Sequence, residues 1–246
     1  MHADVQRNFD RLKANPYPGR GIVVGKTAGG SHLAQIYWIM GRSENSRNRV
    51  FKSDGRRVYT APADPKKVND PSLIIYDAMR ECRAGLEWSQ NFHYVVSNGD
   101  QTNTIVQHME ASGTFYSAML AREYEPDSPN YTPRIAAVCT PRARHIFQMA
   151  IQYRVQDGDC VRGCYVYEDM QPGVGMCLTT YTGDGSPLPS FTGPPYAMPI
   201  AGNGQEILDK YWDVLDTGNR VSLVVKLINV KSGQSKVYLK NQYVEI

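Results

Sequence analysis

The chain has 246 residues, 41% of them hydrophobic and 21% charged, and a formal net charge of +3. That length allows one large domain or two small ones with a sizeable core, and the charge is too small to argue for or against a nucleic-acid partner. No run of eighteen apolar residues exists, so no membrane-spanning helix is expected. The start, MHADVQRNFDRLKANP, lacks the apolar stretch and cleavage site of a secretory signal. Five cysteines (Cys82, Cys139, Cys160, Cys164, Cys177) are an odd count for a disulfide framework. A reduced, cytoplasmic protein is expected.

Val5, Phe9 and Leu12 give residues 3–14 a helical spacing that stops at Asn15-Pro16. RGIVVG (20–25) reads as a strand, residues 27–30 as a hairpin turn and SHLAQIYWIM (31–40) as the returning strand. A basic, Ser/Asn-rich segment, 42–57, follows as a loop. In VNDPSLIIYDAMREC, Ile74, Ile75, Ala78, Met79 and Cys82 make one apolar helical face, so a helix is expected there. Residues 92–97 are a strand that runs into the polar stretch SNGDQTNT, and a helical pattern covers 103–123 with a break at Gly113. After the Pro-rich turn EPDSPNYTP come strands at 134–139, 145–155, 163–167 and 175–181, then a loop with five prolines between Asp184 and Pro199. A helix at 203–215 and strands at 220–230 and 235–244 complete the chain. Strands joined mostly by turns, with helices in two groups, predict an antiparallel α+β fold in a single domain.

Metal and covalent chemistry find little support. CVRGC brings Cys160 and Cys164 close without a second Cys or His pair, and no HExxH or GxSxG occurs. Cys139 ends an apolar strand and reads as core. GKTAGGS (25–31) has the composition of a phosphate loop but the wrong spacing, and it joins two strands. Lys26 remains available to an anion at its strand end. Within 42–57, Arg42-Ser43 and Asn48-Arg49 set guanidinium forks beside small hydrogen-bonding groups, a pairing suited to phosphate; the plain alternative is a solvated loop. Glu125 and Asp127 precede a turn stiffened by Pro126, Pro129 and Pro133, with Arg134 opening the next strand. Together these types suit a small anionic ligand handled by acid–base and electrostatic chemistry.

YPGRGIVVGK (17–26), GRSENSRNRVF (41–51), VVSNGDQTNTI (95–105) and YEPDSPNYTPRIAAV (124–138), with TTY at 179–181, resemble the archaeal-type IMP cyclohydrolases. The resemblance runs from residue 17 into the mid-200s, which makes residues 1–16 a helical extension and 17–246 a single cyclohydrolase-like domain. It implies a four-layer αββα sandwich like that of the N-terminal-nucleophile hydrolases. Here, however, Asn15-Pro16-Tyr17-Pro18-Gly19 enters the first strand and supplies no Cys, Ser or Thr nucleophile. It also implies ring closure of 5-formamidoimidazole-4-carboxamide ribotide to IMP with loss of water, the last step of purine synthesis, without a cofactor.

On that reading Arg42, Arg49 and Lys26 anchor the phosphate or the carboxamide side, and Asn98 and Thr104 hydrogen-bond the heterocycle. Tyr76, Glu125 and Arg134 share the proton transfers and the oxyanion. Without the resemblance, Tyr76 reads equally as a core tyrosine. The loop 183–199 is either a cover for the site or a surface excursion. The competing function is a non-catalytic purine-nucleotide binder on the same fold. An RNA-binding module is disfavoured because only Phe51 and Tyr59 accompany the basic segment. A purine ribonucleotide substrate, no nucleic-acid or membrane partner, no metal and a symmetric homo-oligomer complete the expectation.

Overall fold

The computed structural model describes residues 3–68, 71, 75–84 and 91–243. Helix α1 (Ala3–Ala14) is followed by the hairpin β1 (Gly21–Lys26) and β2 (His32–Met40). A one-turn helix, α2 (Glu44–Arg47), and the strands β3 (Val50–Ser53) and β4 (Val58–Ala61) come next. β5 (Asp77–Ala84) and β6 (Asn91–Ser97) lead to helices α3 (Gln101–Glu110) and α4 (Phe115–Leu120). A meander follows of β7 (Arg134–Cys139), β8 (Phe147–Arg154) and β9 (Cys160–Tyr167). β10 (Val174–Thr179), β11 (Tyr196–Pro199), helix α5 (Gly204–Val214), β12 (Arg220–Asn229) and β13 (Ser235–Asn241) complete the chain.

The strands form two antiparallel sheets. One has six strands in the order β11-β10-β1-β2-β12-β13, the other seven in the order β3-β4-β5-β6-β7-β8-β9. β7 explains how they are layered. All six of its residues are buried, but alternate side chains enter different cores, as the two-residue period of a strand requires. Ile135, Ala137 and Cys139 join Ile22, Val24 and Tyr37 between the sheets. Ala136 and Val138 join Ile105, Val106 and Met119 of α3 and α4 on the far side. The six-stranded sheet repeats the plan: its outer face carries Ala34, Ile36 and Trp38 against Phe9 and Leu12 of α1 and Ile207, Leu208 and Tyr211 of α5. The fold is therefore α+β, with helices covering the outer face of each of two stacked sheets. Each fully buried Val, Leu or Ile side chain in these cores contributes about 1.5–3 kcal/mol.

Two expectations are corrected. The basic segment 42–57 is not a plain loop: it holds α2, closed by a Ser43/Ser46 capping box, and then β3. The apolar pattern around 74–82 is not a helix over its described part, since 77–84 is strand β5 paired with β6. The helical spacing misled because Met79 and Cys82, three residues apart, reach the two different cores on either face of the sheet, so buried residues recur without a helix. Residues 69–70 and 72–74 of that expected helix lie outside the described residues.

Candidate active site

A cleft of about 220 Å³ opens where the entry to β1, the α2 segment, the 127–132 turn and the loop after β10 meet. Three larger surface grooves, about 720, 590 and 400 Å³, are lined by no buried charged side chain among the described residues. Buried charge, not volume, marks the smaller one.

Arg20 enters this cleft because of its neighbours. Gly19 adopts φ +71°, and a Cβ there would stand 2.2 Å from Thr180 Oγ1, so glycine alone lets the chain pass this close. Arg20 N–H then donates to Thr180 Oγ1 at 3.0 Å, and Thr180 N–H donates back to the Arg20 carbonyl at 2.9 Å. The side chain points between the sheets, where Nη1 lies 3.4 Å from Glu125 Oε2. Burial alone would lower the Arg20 pKa; Glu125, then Tyr76, Tyr181 and Tyr37, more than offset this and raise it.

Arg49 is the second cation. It is 1% exposed, and its Nε donates to the Ser46 carbonyl at 2.9 Å. Burial and then the Arg20 charge lower its pKa. Among the described residues, Arg49 Nη1 and Arg20 Nε have no hydrogen-bond partner. Two buried guanidiniums share one buried carboxylate, Glu125, with N–H groups unpaired. Such an arrangement calls for an anionic ligand, because an unsatisfied buried donor is costly and a charged one more so.

Behind Arg20 lies the floor. Tyr76 ends the connection into β5, and its hydroxyl is 2.6 Å from that of Tyr37 on β2. Burial raises the pKa of both phenols, so both keep their protons. Glu125 is 1% exposed. Burial raises its pKa, against the pull of Arg20 and Arg134. Its carboxylate oxygens make long contacts, 3.4 Å to Arg20 and 3.4 Å to Asn98 Nδ2.

The polar stretch after β6 supports this floor. Asn98 Oδ1 accepts from Ile135 N–H and from Gln101 Nε2, both at 2.8 Å, while Nδ2 donates to the Pro133 carbonyl at 3.0 Å and reaches Glu125. All four hydrogen-bonding positions of that amide are used within the protein. Arg134 Nη1 lies 2.6 Å from both Asp100 Oδ1 and Gln101 Oε1. Gly99 makes room: a Cβ would stand 2.7 Å from Gln101 Oε1, 3.0 Å from Arg134 Nη1 and 3.3 Å from Glu125 Oε1.

The structure thus gathers Arg42, Arg49, Tyr76, Asn98, Glu125 and Arg134 into one region. Arg42 and Arg49 line the cleft, whereas Tyr76, Asn98, Glu125 and Arg134 stand behind it. Arg42 already has an anion, Asp184, and Nη1 also donates to the Gly185 carbonyl at 3.0 Å. Lys26 is elsewhere: it closes β1, roughly 20 Å of strand from Arg20, and its Nζ is 2.6 Å from Asp169 Oδ1. Thr104, half-buried on α3, does not line the cleft. Sequence reasoning missed Arg20, Tyr37, Thr132 and Tyr181. Arg20 had a signal, a lone charge between two glycines at the mouth of an apolar strand. Tyr181 had another, the TTY that follows β10.

The sequence matches the family described as IMP cyclohydrolase-like protein over residues 17–233. The chain belongs to that family. No curated protein matches it. The match covers every residue of the cleft and floor just described, and leaves α1 outside.

Proposed function

We propose that the protein is an IMP cyclohydrolase, closing the second purine ring of 5-formamidoimidazole-4-carboxamide ribotide to give IMP and water. The observation that carries this reading is the pair of buried guanidiniums, Arg20 and Arg49, with unpaired N–H groups at a cleft that has Glu125 behind it. Family membership supports it.

In the reaction the carboxamide nitrogen attacks the formyl carbon, and the formyl oxygen takes the electron pair of its π bond. Arg20 and Arg49 stabilise that developing oxyanion, in a site where preorganised donors gain from exclusion of water. Turning Arg20 onto the anion uncovers Glu125, which takes the proton that the attacking nitrogen loses. Its raised pKa makes it a better base than an exposed carboxylate. The Tyr76–Tyr37 pair, kept protonated by burial, supplies a proton to the departing oxygen. Glu125 returns the proton it took to the same oxygen, and water leaves as the former formamido nitrogen passes its proton to the tyrosine pair and the C=N bond forms. Arg42, at the rim, binds the 5′-phosphate by exchanging Asp184 for it. Arg134 and Asn98 fix the loop beneath Glu125.

The fold reading extends to the N-terminal-nucleophile-hydrolase architecture. Two stacked antiparallel sheets with helices on both outer faces support it, and Arg20 stands at the strand entry where that chemistry would need a nucleophile. Cytoplasmic residence and a homo-oligomeric state belong to the same proposal; light scattering checks the second.

One observation favours a second reading, a purine-nucleotide binder: Glu125 and Tyr76 lie behind the cleft, not on its wall. The deciding experiment mixes purified protein with the formamido ribotide in the presence of a chelator and follows IMP by chromatography. Turnover supports the enzyme. Binding of IMP without turnover supports the binder.

A further inference from the structure

Tyr181, Thr132 and Asp127 line one wall of the cleft and are joined by hydrogen bonds. Thr132 N–H donates to Asp127 Oδ1 at 2.6 Å, and the Thr132 hydroxyl donates to Asp127 Oδ2. Thr132 Oγ1 is 2.5 Å from Tyr181 Oη.

The direction of this chain follows from proton counting. A carboxylate only accepts, and a hydroxyl has one proton to give. The Thr132 proton is committed to Asp127, so Tyr181 must donate to Thr132. The phenol proton is turned away from the ligand space, and a lone pair remains to accept. The ring itself is held firmly: it is 3% exposed, stacks on Tyr17 at 6.1 Å and 22°, and its backbone N–H donates to the Pro18 carbonyl at 3.2 Å. Arg20 and Glu125 both act electrostatically on the phenol, which sets it beside the groups assigned to the reacting atoms.

We infer that Tyr181 is a fixed hydrogen-bond acceptor that holds one N–H of the attacking carboxamide, with Thr132 and Asp127 as its positioning residues. This rests on the ring-closure reading and deepens it. A carboxamide nitrogen carries two N–H bonds. One gives its proton to the base during attack, and the other, held by Tyr181, keeps the nitrogen from turning away from the formyl carbon. Misplacing a reacting atom by about 1 Å costs on the order of 10²-fold in rate.

The test uses two variants, each with kcat and KM for the formamido ribotide and a dissociation constant for the non-formylated carboxamide ribotide, which cannot cyclise. Tyr181→Phe keeps the ring and removes the acceptor. Asp127→Asn keeps the shape and reverses the chain: its Oδ1 still accepts from Thr132 N–H, but its Nδ2 now donates to Thr132 Oγ1. Thr132 then donates to Tyr181, and the phenol proton points at the ligand. The expected result is a kcat lower by about 10–100-fold in both variants, a smaller change in KM, and carboxamide ribotide binding weakened about 2–10-fold. Asp127→Asn is isosteric, so its melting temperature stays near wild type. Because the Asp127 charge also raises the Glu125 pKa, kcat is read on the pH plateau where Glu125 is ionised in both proteins, and there a purely structural role would leave it unchanged. Wild-type kcat and affinity in both variants would overturn the inference. If wild type binds the carboxamide ribotide but forms no IMP, the ring-closure reading fails and binding alone judges Tyr181: weakened binding in Tyr181→Phe upholds the acceptor, unchanged binding rejects it. If wild type neither binds nor turns over, both fall.

Discussion

Arg20 and Glu125 meet between the two sheets at 3.4 Å, although 105 positions separate them in sequence. β1 delivers the first and the turn before β7 the second. Arg49 makes the pair unequal, adding a second buried guanidinium, whereas the next carboxylate in the cleft, Asp127, is half-buried and has both oxygens on Thr132. A site with surplus buried positive charge and unpaired N–H groups is stabilised by an anion, and the predictions below follow from that.

The raised pKa of Glu125, caused first by burial, sets a sign for two pH dependences. An acid whose folded pKa exceeds its unfolded value binds more protons folded than unfolded across the window between them. Stability from this group is therefore lost as pH rises from the ordinary value of 4.5 to the raised one. In the proposed mechanism Glu125 acts as a base and must be ionised, so kcat/KM is expected to fall as pH drops through the same raised pKa. Chemical denaturation and rate measurements across mildly acidic pH check both. Glu125→Gln should remove this contribution to the stability slope and the acid limb together.

Arg49→Met should separate stability from binding. It removes a buried charge that has an unpaired Nη1 and is repelled by Arg20, so the fold is relieved of an uncompensated desolvation cost. The same change removes a charged donor, worth about 1.5–3 kcal/mol to an anion, or roughly 10–100-fold in affinity. Thermal melts should show an equal or higher melting temperature, and calorimetry a loss of IMP binding.

The sequence carried much of the fold and less of the site. α1 and α5 were readable because their apolar residues repeat at the helical period, and β1, β2, β6 and β7 because short apolar runs bounded by turn or polar residues mark buried strands. β5 was not, since Met79 and Cys82 bury on opposite faces of one sheet at a three-residue spacing and imitate a helix. The candidate residues Arg42, Arg49, Asn98, Glu125 and Arg134 stood out as polar groups in unusual company, and the structure gathers them in and behind one cleft. What the sequence could not convey is which of them are already satisfied. Asn98 looks like a ligand contact until its four partners are counted, and Lys26 like an anion site until Asp169 is found beside it. Tyr181 and Thr132, 49 positions apart, carry no sign of their contact in a linear reading.

Arg42 and Glu125 should fail differently. Arg42 lies at the rim with its side chain 37% exposed and paired to Asp184, so it contributes binding that substrate and transition state share. Arg42→Ala should raise KM with kcat nearly unchanged, and the effect should shrink as salt rises. Steady-state kinetics at two ionic strengths checks this.

Gly99→Ala should damage the floor from below. The added Cβ meets Gln101 Oε1 and Arg134 Nη1, which are tied to each other at 2.6 Å and cannot both retreat. A destabilisation of about 1–3 kcal/mol is expected, with a fall in kcat as Glu125 shifts. A melting temperature and kcat equal to wild type would remove Gly99 from the account.

The decisive measurement is the rate of IMP formation from the formamido ribotide by wild type and Glu125→Gln, side by side with a chelator present. The account predicts turnover by wild type and a kcat lower by about 10²–10⁴-fold in Glu125→Gln, with IMP binding retained. Equal rates in the two proteins, or no turnover by wild type, would contradict it.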